Sequence, residues 1–247
     1  MRSVGLARAL SKLGYCSRSQ AQDLIRSGRV RVNGAVKRNP EAPVFLGRDR
    51  IEVNGAPIRP AAKLYLMLNK PRGLVTTASD EKGRPTVYSR LGDEVPWVAP
   101  VGRLDKASEG MLLLTNDSEW AARILAPETH LQKTYHVQVF GVRDLELAHA
   151  LVQGVRVSNG EFLQAKDARI LRQGHRNTWL AIVLDEGKNR HIRRMLEQLG
   201  IKVLRLVRVA IGPLALGELS KGASRPLTTA EKSALDAAIR QSNRSRR

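Results

Sequence analysis

The sequence predicts an α+β protein, with a small basic module at the N-terminus and a larger domain built on a mixed, mostly antiparallel sheet. Three observations carry this. Helical and alternating apolar patterns are interspersed without a regular strand–helix–strand repeat, which argues against a doubly wound parallel sheet. The pattern changes character near residue 60, where Pro57, Pro60, Ala61 and Ala62 read as a linker. The 247 residues suffice for one large domain, or for a small domain followed by a medium one. The expected division is a module over 1–60, a domain over 61–239 and a disordered basic tail over 240–247.

In the module, Leu6, Ala9, Leu10 and Leu13 recur at helical spacing, and Gly14 can end that helix. Ser17 and Gln20 have capping-box spacing and open a second helix, with Gly28 at its C-terminal end. Val30-Arg31-Val32 runs into an Asn33-Gly34 turn and Ile51-Glu52-Val53 into an Asn54-Gly55 turn, each a hairpin signal.

In the second domain, 64–68 is a short apolar run that predicts a buried strand, and 69–73 a loop. Met111 to Leu114 predicts another buried strand. Asn116-Asp117 then precedes a helix with Trp120, Ala121, Ile124 and Leu125 inward. Tyr135, Val137 and Val139 alternate with Thr134, His136 and Gln138, the period of a strand covered on one face. A helix over 145–152 stops near Gly154, and strands are expected over 179–184 and 203–209. Between those two strands Ile192, Met195, Leu196 and Leu199 mark a helix ending at Gly200. Thr228 and Glu231 form a second capping box, opening a last helix with Leu235 and Ile239 inward. From Arg240 onward there are four arginines and no acid.

Charge narrows the partner. Lys and Arg number 42 against 23 Asp and Glu, a formal net charge of +19. Residues 1–60 hold twelve of the cations and four of the acids. Such self-repulsion is tolerated when the partner is a polyanion. No apolar run approaches the roughly 20 residues of a spanning helix, so RNA or DNA is expected rather than a membrane. The N-terminus lacks the apolar stretch of a signal peptide, and a single cysteine, Cys16, rules out an intramolecular disulfide. A cytoplasmic location is expected.

Familiar cofactor and metal signatures are missing. There is no GxxxxGK[ST] loop, GxGxxG turn, HExxH pair, cysteine pair or GxSxG elbow. The five histidines (130, 136, 149, 175 and 191) lack metal-ligand spacing. Neither cofactor nor metal is expected, which leaves side-chain chemistry or none. Two stretches are candidates. In 101–110, Asp105 stands in a loop before a buried strand with Arg103 and Lys106 beside it, a setting in which a carboxylate can serve as nucleophile or base. In 186–195, four cations and His191 surround a helix start. There Arg193 lies beside the apolar stripe and needs an acidic or nucleic-acid partner. By pattern alone, Asp105 reads more readily as a turn or cap residue, and the basic stretch more readily as a solvated face touching phosphates.

At these residues the chain resembles a known family. Gly102-Arg103-Leu104-Asp105, followed by 109–117, is similar to the catalytic motif of pseudouridine synthases of the RsuA family. Asn69-Lys70-Pro71-Arg72-Gly73, Lys133-Thr134-Tyr135 and 187–195 resemble its other motifs, with His191 standing where Gln or a similar residue is expected. Residues 17–34 resemble an S4 (αL-type) RNA-binding domain. The resemblance implies an isomerase of RNA without cofactor, converting a specific uridine of ribosomal RNA, or of a ribosomal subunit precursor, to pseudouridine as a monomer. It implies Asp105, Tyr135 and Arg193 as catalytic residues. Asp105 starts the cleavage, Tyr135 packs on the flipped base, and Arg193 pairs with Asp105. Expected RNA contacts are Arg18, Arg26, Arg29, Arg31, Lys37 and Arg38 in the module, and Lys70, Arg103, Lys188, Arg190 and Arg194 beyond it. The alternative is a non-catalytic S4-containing RNA-binding or ribosome-assembly factor, which charge and module fit equally well.

Overall fold

The computed structural model describes residues 3–78, 80–92, 94–141 and 144–244. In the module, helix α1 (Leu6–Lys12) packs on α2 (Arg18–Arg26). The Ser17 hydroxyl accepts from the Gln20 N–H while the Gln20 side chain accepts from the Ser17 N–H, so the expected capping box forms. Strand β1 (Val30–Val32) pairs antiparallel with β2 (Ala35–Lys37) and β3 (Ile51–Val53), and β3 with β4 (Ala56–Pro57). Asn33 and Asn54 both have positive φ ahead of their glycines, as tight hairpin turns require. Leu6, Leu10, Ile25, Val30 and Val53 belong to a core of the module's own. Pro57 is therefore a strand residue and not part of a linker; β4 is an edge strand, where proline is tolerated.

The connection from module to sheet is tied down. The Ala61 N–H donates to the Leu13 carbonyl. Asn116 holds the same segment through both ends of its amide, accepting from the Leu64 N–H and donating to the Ala62 carbonyl. Lys12 and Glu119 form an ion pair across the two parts at 2.9 Å.

The second part is a nine-stranded mixed sheet. In chain order its longer elements are β5 (Tyr65–Lys70), β6 (Glu109–Thr115), α3 (Ser118–Leu125), β7 (Lys133–Phe140), α4 (Leu145–Gln153), β8 (Asp167–Gln173), β9 (Asn177–Leu184), α5 (His191–Gln198), β10 (Val203–Ile211), β11 (Ser224–Pro226) and α6 (Thr229–Arg244). The spatial order is β8-β9-β7-β10-β6-β5-β11, with Ala99–Pro100 added to β6 and Leu214–Ala215 to β10. Among the described residues only β10 and β6 run parallel.

Alternation sorts the side chains onto two faces. On the first face, Val137, Val139, Leu180, Ile182 and Leu206 pack under α4 and α5, while Leu66, Leu68, Leu112 and Leu114 form a neighbouring cluster. On the second, Met67, Met111, Leu113 and Ile211 pack with Trp120, Ile124, Leu235 and Ile239, side chains of α3 and α6. Three expectations change. Leu125 is 50% exposed because it ends α3 off the Trp120–Ile124 stripe, and Leu199 is 36% exposed because it follows the last residue of α5. The last helix runs on through Arg244, so residues 240–244 are helical and not a tail; the rest of the expected tail lies outside the described residues.

Candidate active site

The site is built on the loop between Gly102 and β6. Gly102 enters it at φ +76, a conformation that favours glycine. Five consecutive carbonyls of this loop are held from three other elements. Leu104 O accepts from Thr76 Oγ1 at 2.7 Å and Lys106 O from the Gly73 N–H at 2.8 Å. Asp105 O and Ser108 O both accept from Lys70 Nζ, at 3.0 and 2.9 Å. Ala107 O accepts from Arg193 Nη2 at 3.0 Å. The Asp105 side chain is half-exposed and, among the described residues, its carboxylate makes neither hydrogen bond nor ion pair. A backbone held at five consecutive carbonyls fixes the place of a carboxylate that is itself left unengaged.

Lys70 ends β5 and is completely buried. Burial lowers its pKa to about 8, with Asp105 and Glu109 opposing that shift. It cannot reach RNA. The expected phosphate contact is corrected to an internal strut whose ammonium satisfies three carbonyls, Pro71 O being the third.

Arg193 projects from α5 toward the same loop, but in place of the expected ion pair with Asp105 it makes the bond to the Ala107 carbonyl. The guanidinium remains close enough for Asp105 to raise its pKa, against a larger lowering by burial and a further lowering by Arg190. Its Nε is buried without a partner. Tyr135 lies on β7 in a row with Arg208 of β10 and Gly110 of β6, next to Lys70 of β5. It is half-buried on the first face, against the cluster that includes Ile192 and Met195.

Arg208 was missed by sequence reasoning. It is 6% exposed, donates through Nε to the Met111 carbonyl at 2.7 Å, and keeps Nη2 unpartnered. The available signal was its alternation: Arg208 follows Leu206 on the inward side of a strand. A cavity of about 420 Å³ opens beside Asp105, lined also by Thr76, Thr77, Arg84, Arg103 and Leu104. Its size lies within the usual range for small-ligand pockets. Tyr135 and Arg193 are not among its lining residues.

The remaining cations divide. Arg103 is exposed at the cavity, and Arg190 is exposed at the start of α5 in left-handed backbone. Arg194 is not a free cation: it binds Glu161 at 2.7 Å and Asn159 at 3.0 Å, tethering a neighbouring turn. Lys188 pairs with Glu186 at 2.8 Å. His191 is buried, and burial lowers its pKa, so it belongs to the packing of α5. In the module Arg18, Arg26 and Arg31 are exposed and Lys37 half-buried. Arg29 donates to Asn54, and Arg38 donates to the Arg26 carbonyl while lying over Gly28. No carboxylate pairs with any of these six among the described residues. The fold thus joins a basic module to a sheet domain that carries, beside a cavity, a loop carboxylate without a partner among the described residues.

Comparison with known proteins gives the family. The family profile described as RNA pseudouridylate synthase matches residues 64–198, and that of the S4 domain residues 4–47. The chain is 40% identical over 240 residues to an uncharacterized RNA pseudouridine synthase of Aquifex aeolicus, covering 97% of this chain and 96% of that protein. It is 36% identical over 227 residues to the ribosomal large subunit pseudouridine synthase B of Bacillus subtilis, covering 92% and 93%. A crystal structure of a pseudouridylate synthase superposes with a TM-score of 0.65 at 30% identity, covering 94% of this chain and all of that one. This chain belongs to the RNA pseudouridine synthase family and carries an N-terminal S4 domain.

Proposed function

We propose that the chain isomerises a specific uridine of ribosomal RNA to pseudouridine, with Asp105 as the residue that initiates the reaction. The observation that carries this is the loop itself, five anchored carbonyls around one unengaged carboxylate beside a cavity. A uridine flipped from folded RNA enters beside Asp105, which starts cleavage of the N-glycosidic bond. The uracil turns in place, its C5 is joined to the same ribose carbon, and the C5 proton is lost while N1 gains one, so the net change is an isomerisation. Tyr135 packs on the base. Arg193 positions Asp105 by holding the Ala107 carbonyl.

The ribosomal target is supported by the printed function of the Bacillus subtilis relative. The expected division of the chain, a module over 1–60 and a catalytic domain over 61–239, is part of this reading and is supported by the module's separate core. The cytoplasm is the proposed compartment, since ribosomal RNA is made and used there, and a monomer the proposed state. No helix among the described residues is long and apolar enough to cross a membrane.

The test is a pseudouridine map by carbodiimide-dependent primer-extension stops on rRNA transcripts or deficient ribosomal particles. Asp105→Asn is expected to bind RNA as the unaltered chain does and to form no pseudouridine. Modification by the variant at the unaltered rate sinks the assignment.

A further inference from the structure

The second face of the sheet is covered over only half its width. The side chains of α3 and α6 cover β5, β6 and the end of β10. Beyond them, no residue from that face of β8, β9 or β7 enters any of the apolar clusters. The register states what stands there. Arg172 pairs with Trp179, Trp179 with Gln138, and Gln138 with Arg205, one row across four strands. The next row in register holds Arg169, Ala181 and His136. A sheet face of this composition is not a core.

Its charge is one-sided. Arg172 and Arg205 both lie over the Trp179 ring, at 5.3 and 5.7 Å from its centroid, two cation–π contacts on one side chain. Arg169 and Arg172 are exposed and, among the described residues, neither has a carboxylate partner. Both repel a proton from His136, adding to the lowering that burial imposes on its pKa. Glu109 is shared between Arg205 at 3.0 Å and Lys221 at 2.6 Å, one carboxylate for two cations. Asp167 starts β8, but no ion pair joins it to either arginine among the described residues.

We infer that this open half-face is a second RNA-docking platform that takes backbone phosphates of the folded substrate, on the side of the sheet opposite Tyr135. The inference rests on RNA being the substrate. Charge complementarity selects the occupant: Arg169 and Arg172, without carboxylate partners among the described residues, stand beside an Arg205 that shares Glu109 with Lys221, an excess of cations that suits phosphate oxygens. With two arginines over the Trp179 ring, that ring is engaged by cations, and the platform is expected to hold phosphates and not to read sequence. It adds to the cations of the S4 module a contact made by the catalytic domain's own edge strand.

The test uses the full chain, R169E/R172E and R169K/R172K, each checked by circular dichroism. Binding to transcribed large-subunit rRNA is measured over a salt series. The glutamate pair is expected to weaken binding at least about tenfold and to reduce the slope of log affinity against log salt by about 1.4–1.8, the loss of two phosphate contacts. The lysine pair is expected to bind nearly as the unaltered chain, which separates charge from folding. Ultraviolet crosslinking is expected to place RNA on peptides containing β8. Unchanged affinity and slope in the folded glutamate pair overturn the inference, as does loss of an acidic protein from that variant without any change in RNA binding. No readout requires pseudouridine formation, so failure of the Asp105 assignment leaves this result interpretable.

Discussion

Lys70 shows what a single buried charge does for this site. Its ammonium holds two carbonyls of the Asp105 loop, and burial brings its pKa down from 10.5 to about 8. The sign follows from proton counting. Between pH 8 and 10.5 the folded chain holds fewer protons at this site than the unfolded chain, so stability gains from Lys70 as pH rises through that window. Below pH 8 the cost of burying the charge is fully present. Lys70→Met removes the donors and strands buried carbonyls, and is expected to lose about 1–3 kcal/mol below that pH. Denaturant unfolding of both chains should show the deficit widening toward pH 10.5, because only the unaltered chain gains; a constant deficit would refute the linkage. The sequence could not reveal this role. A lysine before Pro-Arg-Gly reads as a surface cation, and only its place at the inner end of β5 buries it. The loop of Asp105 could be singled out as a candidate because its motif is contiguous. The unmade Asp105–Arg193 ion pair was not legible, because helix periodicity orients Arg193 toward the loop without saying which atom it meets.

At the scale of elements, the parallel contact between β6 and β10 places the loop relative to Tyr135. Gly110 sits at that contact with φ +102, and a Cβ there would collide with the Arg208 carbonyl. Neither strand can retreat without breaking the Tyr135–Arg208–Gly110 row. Gly110→Ala is expected to cost about 2–4 kcal/mol, strain and overpacking together, whereas Ser17→Ala in the α2 capping box is expected to cost about 1 kcal/mol. Thermal unfolding of the two variants should rank them in that order, and equal shifts would contradict the collision. The strands with apolar alternation or apolar runs were readable from sequence. β8 was not, because an edge strand with a polar, arginine-bearing face lacks the contrast on which periodicity depends. The antiparallel majority followed from the interspersed patterns, but the one parallel pair did not, since pairing across residues 109 and 207 leaves no local trace.

At the scale of the molecule, net charge says that a polyanion binds, and the fold says where the charge is kept. Arg194, Lys188, Arg29 and Arg38 are engaged internally or by neighbours. The cations proposed to meet RNA are fewer than composition implies: those of the S4 module, the mouth of the cavity and the uncovered half of the sheet. Composition cannot separate these zones from structural arginines, because a guanidinium contributes the same unit to the sum whether or not it has a partner. The separate module was legible in its two hairpin turns and its own helical pair. Its attachment was not, since Ala61 and Ala62 look featureless in sequence.

That attachment has a consequence for target choice. Leu13, Ala61 and Asn116 clasp the connection through three hydrogen bonds, and Lys12 meets Glu119 beside it. A clasped joint would make the chain a ruler: with the module gripping one RNA feature, the uridine offered to Asp105 is expected at a set offset from it, and uridines at other offsets are expected to be passed over. Lengthening the joint with flexible glycines after Ala62 should blur the graduation, lowering the effective concentration of the correct uridine and admitting its neighbours. Sequencing the pseudouridines made by such a chain on long rRNA would register this as spread around the original position. A single unshifted site at the unaltered rate would mean that the pocket alone, and not the spacing, selects the nucleotide.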